Sequence, residues 1–144
     1  YIEPSPESMM KSKNTLSKVK TCQIFYLETA ISSDNIKKYF SDNKGSANHL
    51  SDNGKIEVKV STLDCLINDR VDYIKYDIEG EELNAIIGSK RIIKECKPYL
   101  AVCIYHKQEH FWQIPINILK IYPHYKIYFR HYTEGIFETV MYFI

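Results

Sequence analysis

The stretch DYIKYDIEGEELNAIIGSKRIIKECKPYLAVCIYHK, Asp72 to Lys107, decides the fold. Asp72 to Gly80 reads as a short strand that stops at Asp77–Gly80. The next segment sets Leu83, Ile86 and Ile87 and, after a break at Gly88, Ile92 and Ile93 along one helical face. Pro98 to His106 is almost wholly apolar, the pattern of a central strand covered on both faces. Strand, helix and strand in that order form the repeating unit of a layered α/β fold with parallel neighbours.

The flanking segments extend the pattern. YIEPSPES (Tyr1–Ser8) opens as the end of a strand, turns at Pro4 and Pro6, and offers Ser5 or Ser8 as the cap of a helix reaching about Lys18. Thr21–Ser32 is apolar and aromatic-rich and reads as a strand. Residues 33–54 are polar and read as a loop or a short hairpin. KIEVKVSTL then alternates Ile56, Val58 and Val60 with Glu57, Lys59 and Ser61, a strand with one solvated face. EHFWQIPINILKIY reads as helical in part, limited by Pro115, with Phe111 and Trp112 covering the core. YKIYFRHY and IFETVMYFI close the chain as two strands about a turn containing Gly135. The expected fold is α/β with a mainly parallel sheet and a C-terminal antiparallel hairpin, in a single domain over residues 1–144.

Composition narrows the function classes. A chain of 144 residues with 44% hydrophobic and 26% charged residues can build one packed core. Nineteen basic against eighteen acidic residues give a net charge of +1, which provides no field for steering toward nucleic acid or an anionic membrane. No apolar run reaches the roughly 20 residues of a membrane span, and no signal-peptide pattern is present. Cys22, Cys65, Cys96 and Cys103 form no C-x-x-C pair and lie in or beside apolar runs. They read as buried free thiols, which suits a reducing, cytoplasmic setting. The chain begins at Tyr1, inside a strand end, and so reads as an N-terminally truncated domain.

The central stretch resembles the signature of FkbM-type methyltransferases. The matching elements are Thr62-Leu63-Asp64, the run Lys75-Tyr76-Asp77-Ile78-Glu79-Gly80 with Glu82, then Gly88, Lys97-Pro98 and Tyr105-His106-Lys107. YIEPSPES is similar to that family's second-strand motif, and YFRHY with ETVMYFI to its closing hairpin. The resemblance implies a Rossmann-like methyltransferase sheet, S-adenosylmethionine as cofactor, and methylation of a hydroxyl on a sugar or a secondary metabolite. It also implies that the first strand and its glycine loop precede Tyr1. The five glycines here are all isolated, and losing that strand would split the sheet and expose two edges, a route to homo-oligomers.

Six residues stand out as site candidates. Glu3 ends a strand where a carboxylate with two acceptor oxygens can hold both ribose hydroxyls. Ala30 and Ile31 follow the next strand, at the turn that borders the adenine in methyltransferases of this shape. Asp77 and Glu79 lie at a strand's carboxyl end, where ligands of open α/β sheets bind. The helix macrodipole also favours acids in a first turn, and Glu81 and Glu82 read as such. His106, at the end of the most apolar strand, is a base of near-neutral pKa that can take a proton from a hydroxyl. His131 is a candidate second base or substrate contact, and Trp112 a candidate for sugar stacking. His49, His110 and His124 read as surface residues, and Lys75 as a strand flank. Oxygen and imidazole groups at Asp77, Glu79, His106 and His131 could suit a divalent cation, but their spacing carries no metal signature, so no metal is expected.

Two rival readings remain open. One is another nucleotide-binding α/β domain such as a dehydrogenase. The other is a degenerate or truncated module that acts by association alone.

Overall fold

The computed structural model describes residues 1–35, 37–40, 50–51, 56–135 and 137–144. His49, Gly45 and Gly54, with most of the polar 33–54 segment, lie outside them.

The helix α1 (Pro6–Leu16) starts as its sequence predicts. Ser5 is the N-cap, its hydroxyl oxygen accepts Ser8 N–H at 3.3 Å, and Pro6 sits at the first helical position, where its missing N–H costs nothing. Then follow β1 (Ala30–Ile31), β2 (Lys37–Phe40), β3 (Leu50–Ser51), β4 (Ile56–Ser61), α2 (Leu63–Leu66), β5 (Tyr73–Tyr76), α3 (Glu82–Ile87), α4 (Lys90–Cys96), β6 (Tyr99–Cys103), α5 (His110–Ile121), β7 (Ile127–His131) and β8 (Thr139–Phe143).

The strands form two mixed sheets, ordered β1-β4-β2-β3 and β5-β6-β8-β7. The pairs β1–β4 and β5–β6 are parallel, while β2–β3, β2–β4, β6–β8 and β7–β8 are antiparallel. The expected predominance of parallel pairing therefore fails. β2 and β3 arise within the segment read as a loop or hairpin; β2 pairs antiparallel with β4, and β3 antiparallel with β2.

The central stretch behaves as its pattern requires. Leu100, Val102 and Ile104 are fully buried on one side of β6 and pack with Ile86, Ile92, Ile93, Ile114 and Ile118 of α3, α4 and α5. Ala101 and Cys103 are buried on its opposite side with Val140 of β8. The break at Gly88 separates α3 from α4. Asp64 repairs the N-terminus of α4 from a distance, its carboxylate accepting Arg91 N–H at 2.8 Å and Ile92 N–H at 3.0 Å. Thr62 caps α2 through Cys65 N–H. The Thr62-Leu63-Asp64 motif thus joins two helices, and Leu63 between them is buried in the core.

Several local expectations are corrected. Thr21–Ser32 keeps only Ala30–Ile31 and a single bridge from Leu27 to Ile2 as β-structure, and Phe25 is exposed, because no long partner strand faces this segment. α5 runs straight through Pro115, losing one backbone bond that the burial of Ile114 and Ile118 offsets. Cys22 and Cys65 are exposed free thiols, and only Cys103 is buried. Phe111 and Trp112 lie on the exposed side of α5, where Phe111 meets Phe129 of β7 with ring centroids 5.8 Å apart. Among the described residues no helix is long and apolar enough to cross a membrane.

Candidate active site

The parallel register of β5 on β6, with Tyr76 opposite Val102, brings the carboxyl ends of both strands to one edge. After Tyr76 the chain makes a tight turn into α3. Glu79 has φ 55° and Gly80 φ 96°, two successive residues in the left-handed region. A glutamate there costs of order 1 kcal/mol or more and needs external support. Glu82 supplies it. One oxygen of its carboxylate, Oε1, accepts the N–H of Ile78 at 2.9 Å and that of Gly80 at 3.4 Å.

The same oxygen lies 2.8 Å from Nδ1 of His106, just beyond β6. Glu82 is fully buried, and its Oε2 stands 3.3 Å from Nδ1 of His110, within ion-pair range but off hydrogen-bond geometry. Burial alone would raise the Glu82 pKa. The hydrogen bonds from His106 and Ile78, with His110 close by, reverse that effect and hold the carboxyl far below its usual range. His106 shows the complement. Its burial disfavours the imidazolium, yet Glu82, followed by Glu79 and Asp77, raises its pKa above 6.5.

His106 turns Nε2 outward, 3.8 Å from Asp77 Oδ1 and 3.7 Å from Glu79 Oε2. Asp77 is itself held, Oδ2 accepting Lys75 Nζ at 3.0 Å and Oδ1 the Tyr105 hydroxyl at 3.3 Å. The Tyr105 ring lies against the imidazole with centroids 4.1 Å apart. Burial and the Asp77 charge push the Tyr105 hydroxyl pKa up, so it remains a donor.

Asp77 and Glu79 border a cleft of about 860 Å³ between Tyr1–Ser5, the end of β1 and β5. Glu3, Ala30 and Ile31 line the same cleft. Ser5 N–H holds Glu3 Oε1 at 2.8 Å. Five of the six candidates therefore line one cleft, and His106 stands behind two of them, its Nε2 3.8 Å from Asp77 and 3.7 Å from Glu79. His131 does not join them: it bonds Thr139 Oγ1 across the closing hairpin at 2.9 Å. Lys75, read as a strand flank, instead lines the same cleft and holds Asp77, and His124 is exposed. Among the described residues no three potential ligands are grouped to hold a metal ion.

Glu82 and His110 depart from their sequence readings. Glu82 is in the first turn of α3 as read, yet it is fully buried, and His110 is no surface residue, being only 2% exposed. The signal for His110 was its spacing, four residues beyond His106. The signal for Glu82 was its place just after Glu79-Gly80-Glu81, where a left-handed turn leaves inward N–H groups in need of an acceptor.

Comparisons with known proteins identify the family. No curated protein sequence matches the chain. A family model described as the methyltransferase FkbM domain matches residues 1–136. The crystal structure of the methyltransferase FkbM from Methylobacillus flagellatus KT superposes with a TM-score of 0.81 at 28% identity, over 99% of this chain and 35% of that one. The chain thus spans about a third of that protein's length. Its motif residues meet at one strand edge and the family match covers nearly all of it, so the chain belongs to the FkbM methyltransferase family.

Proposed function

We propose that the chain is a methyltransferase domain that transfers a methyl group from S-adenosylmethionine to a hydroxyl oxygen of a sugar or secondary metabolite. One observation carries the reading: His106 Nε2 points between two carboxylates at the mouth of a cleft lined by Glu3, Ala30 and Ile31. The cleft's size lies within the range of small-molecule and cofactor sites. The residues fit the cofactor, since Ser5 N–H orients the Glu3 carboxylate at the rim and two buried apolar side chains stand beside it. Glu3 would hold the ribose hydroxyls, and Ala30 and Ile31 the adenine. When bound, S-adenosylmethionine supplies an electrophilic methyl carbon on a sulfonium and leaves as a neutral thioether.

His106 takes the acceptor's hydroxyl proton at Nε2, leaving the electron pair on oxygen for the new bond to carbon. Asp77 and Glu79 accept hydrogen bonds from the acceptor and orient it, which supplies much of the rate through positioning. The Rossmann-like reading also places a further strand between Tyr1–Glu3 and β5. Its support is that β5 ends its sheet order and Ile2 pairs only with Leu27.

Calorimetric titration with S-adenosylhomocysteine tests the proposal. Binding is expected, and Glu3→Ala should weaken it about tenfold or more, since a charge-assisted hydrogen bond contributes roughly 1.5–3 kcal/mol. His106→Ala should abolish methyl transfer to a hydroxyl acceptor while changing cofactor affinity by less than about threefold, because the base meets the acceptor and not the cofactor. No binding by the folded chain refutes the methyltransferase reading.

One observation favours the association module instead: β7 lies at a sheet edge with all five side chains exposed, open to pairing with a second copy. Sedimentation that reveals concentration-dependent oligomers, with no cofactor binding, would select that reading.

A further inference from the structure

We infer that Glu82 is the positioning residue of this site, the group that makes His106 a base. The inference rests on the reading of His106 as the proton acceptor and adds what sets its tautomer and proton affinity. A neutral imidazole carries one N–H, and only the bare nitrogen can take a proton. Glu82 is fully buried and its Oε1 already accepts the N–H groups of Ile78 and Gly80; Nδ1 of His106, 2.8 Å from that acceptor oxygen, therefore donates. That leaves the lone pair on Nε2, the nitrogen facing Asp77 and Glu79 at 3.8 Å and 3.7 Å.

The carboxylate cannot swing away. Ile78 and Gly80 N–H groups hold Oε1 from the β5–α3 turn, and His110 closes on Oε2 from α5. Three elements therefore converge on one acid, and a buried charge without such partners would be costly. The left-handed Glu79–Gly80 turn gains a purpose, because it aims two N–H groups at Oε1 while setting the Glu79 carboxylate at the mouth.

Every charged or titratable neighbour acts in a known direction. Glu82 bonds the inner nitrogen and Asp77 and Glu79 face the outer one; all three favour the imidazolium. Lys75 offsets part of the Asp77 charge at 3.0 Å, and Lys107 offsets Glu81 at 3.9 Å. His110 shares the Glu82 charge, while the Tyr105 ring and the buried Cys103 thiol add no charge. When the acceptor O–H bond breaks and its proton reaches Nε2, the new imidazolium lies against a fixed anion. No reorganisation is needed at that moment.

The test uses the whole chain labelled with ¹⁵N-histidine, without cofactor or acceptor. His106 is assigned by comparison with a His106→Gln variant. Above its pKa, His106 should show protonated Nδ1 and bare Nε2, and its titration midpoint should lie above 6.5. Glu82→Gln should lower that midpoint by at least about one unit, a tenfold loss of proton affinity, and abolish the tautomer preference. An Nε2–H tautomer in the unmodified protein overturns the proposal, as does a midpoint in Glu82→Gln within about 0.3 unit of the original. Should Glu82→Gln fail to fold, the tautomer of the unmodified protein decides alone. Methyl transfer that survives His106→Ala, with the Nδ1–H tautomer intact, would refute the base reading rather than the geometry.

Discussion

Gly88→Ala offers a direct measure of how tightly the α3–α4 break packs against the ends of β1 and β4. Gly88 has an ordinary φ of −77°, so alanine brings no backbone strain of its own. The space is what forbids it. A Cβ built there falls 2.1 Å from the carbonyl oxygen of Ser32, 3.1 Å from its carbon and 3.3 Å from Thr62 Cβ. Contacts below 3.0 Å essentially never occur for real Cβ atoms, so two backbones must part by roughly 1 Å. Neither is free to do so. Ser32 N–H is bonded to Ser61 O at 3.1 Å, Gly88 N–H to Asn84 O at 2.9 Å, and Gly88 O accepts Asp64 N–H at 3.0 Å. Overpacking against pinned backbone costs about 3 kcal/mol.

Urea unfolding followed by circular dichroism reads this out. With a slope of about 1–3 kcal/mol per molar, the midpoint should fall by roughly 1–3 M at unchanged slope. Ser32 directly follows Ala30 and Ile31, so the displacement should also weaken S-adenosylhomocysteine binding. Gly135→Ala is the contrasting control, since a Cβ there meets nothing within 4 Å but φ is 98°. Its cost, about 1–2 kcal/mol, is conformational and should leave binding untouched. A Gly88→Ala protein within about 0.5 kcal/mol of the parent would refute the reasoning, because a contact that yields so cheaply cannot be pinned on both sides.

Asp64→Ala should destabilise by about 1–2 kcal/mol in the same unfolding assay by uncapping α4, and Asp64→Asn should recover part of that loss; equal stabilities would show that water replaces the cap. The Glu82–His106 pair should give stability a pH window. The lowered Glu82 pKa contributes stability that is present above 4.5 and lost as pH falls through its folded value. The raised His106 pKa contributes stability that is complete below 6.5 and lost as pH rises through its folded value. Urea midpoints measured from acid to mildly alkaline pH should therefore decline on both sides of that interval, and His106→Gln should remove the alkaline decline. An unchanged alkaline limb in His106→Gln would assign the effect to other groups.

Much of the fold was legible because it depends on local chemistry. The unbroken apolar run of β6 is forced by burial on two faces, the α3–α4 break sits at Gly88 as the pattern implies, and Ser5 with Pro6 starts α1 where a cap and a first-turn proline belong. What was not legible depends on partners. The same aromatic-rich composition that reads as a strand at Thr21–Ser32 stays mostly irregular, since a strand exists only where another edge accepts its bonds. Pro115 reads as a stop, yet the core contacts of Ile114 and Ile118 outweigh one lost hydrogen bond.

The site divides along the same line. Asp77, Glu79 and His106 were readable because strand ends announce themselves, and an acid or a histidine at a carboxyl edge is a position with a chemical meaning. Glu82 was not, because the property that matters is its charge state while buried, and that is set by groups from three elements. Its nearest sequence neighbours argue for a solvated acid. Only the pairing of β5 with β6 brings His106 over the β5–α3 turn, and only the turn that leads into α5 at His110 brings a second imidazole to the same carboxylate. A residue whose function is to fix another residue's proton therefore leaves little trace in the sequence around it. Its trace is elsewhere, in a left-handed Glu-Gly turn that strains the backbone to deliver two N–H groups to one oxygen.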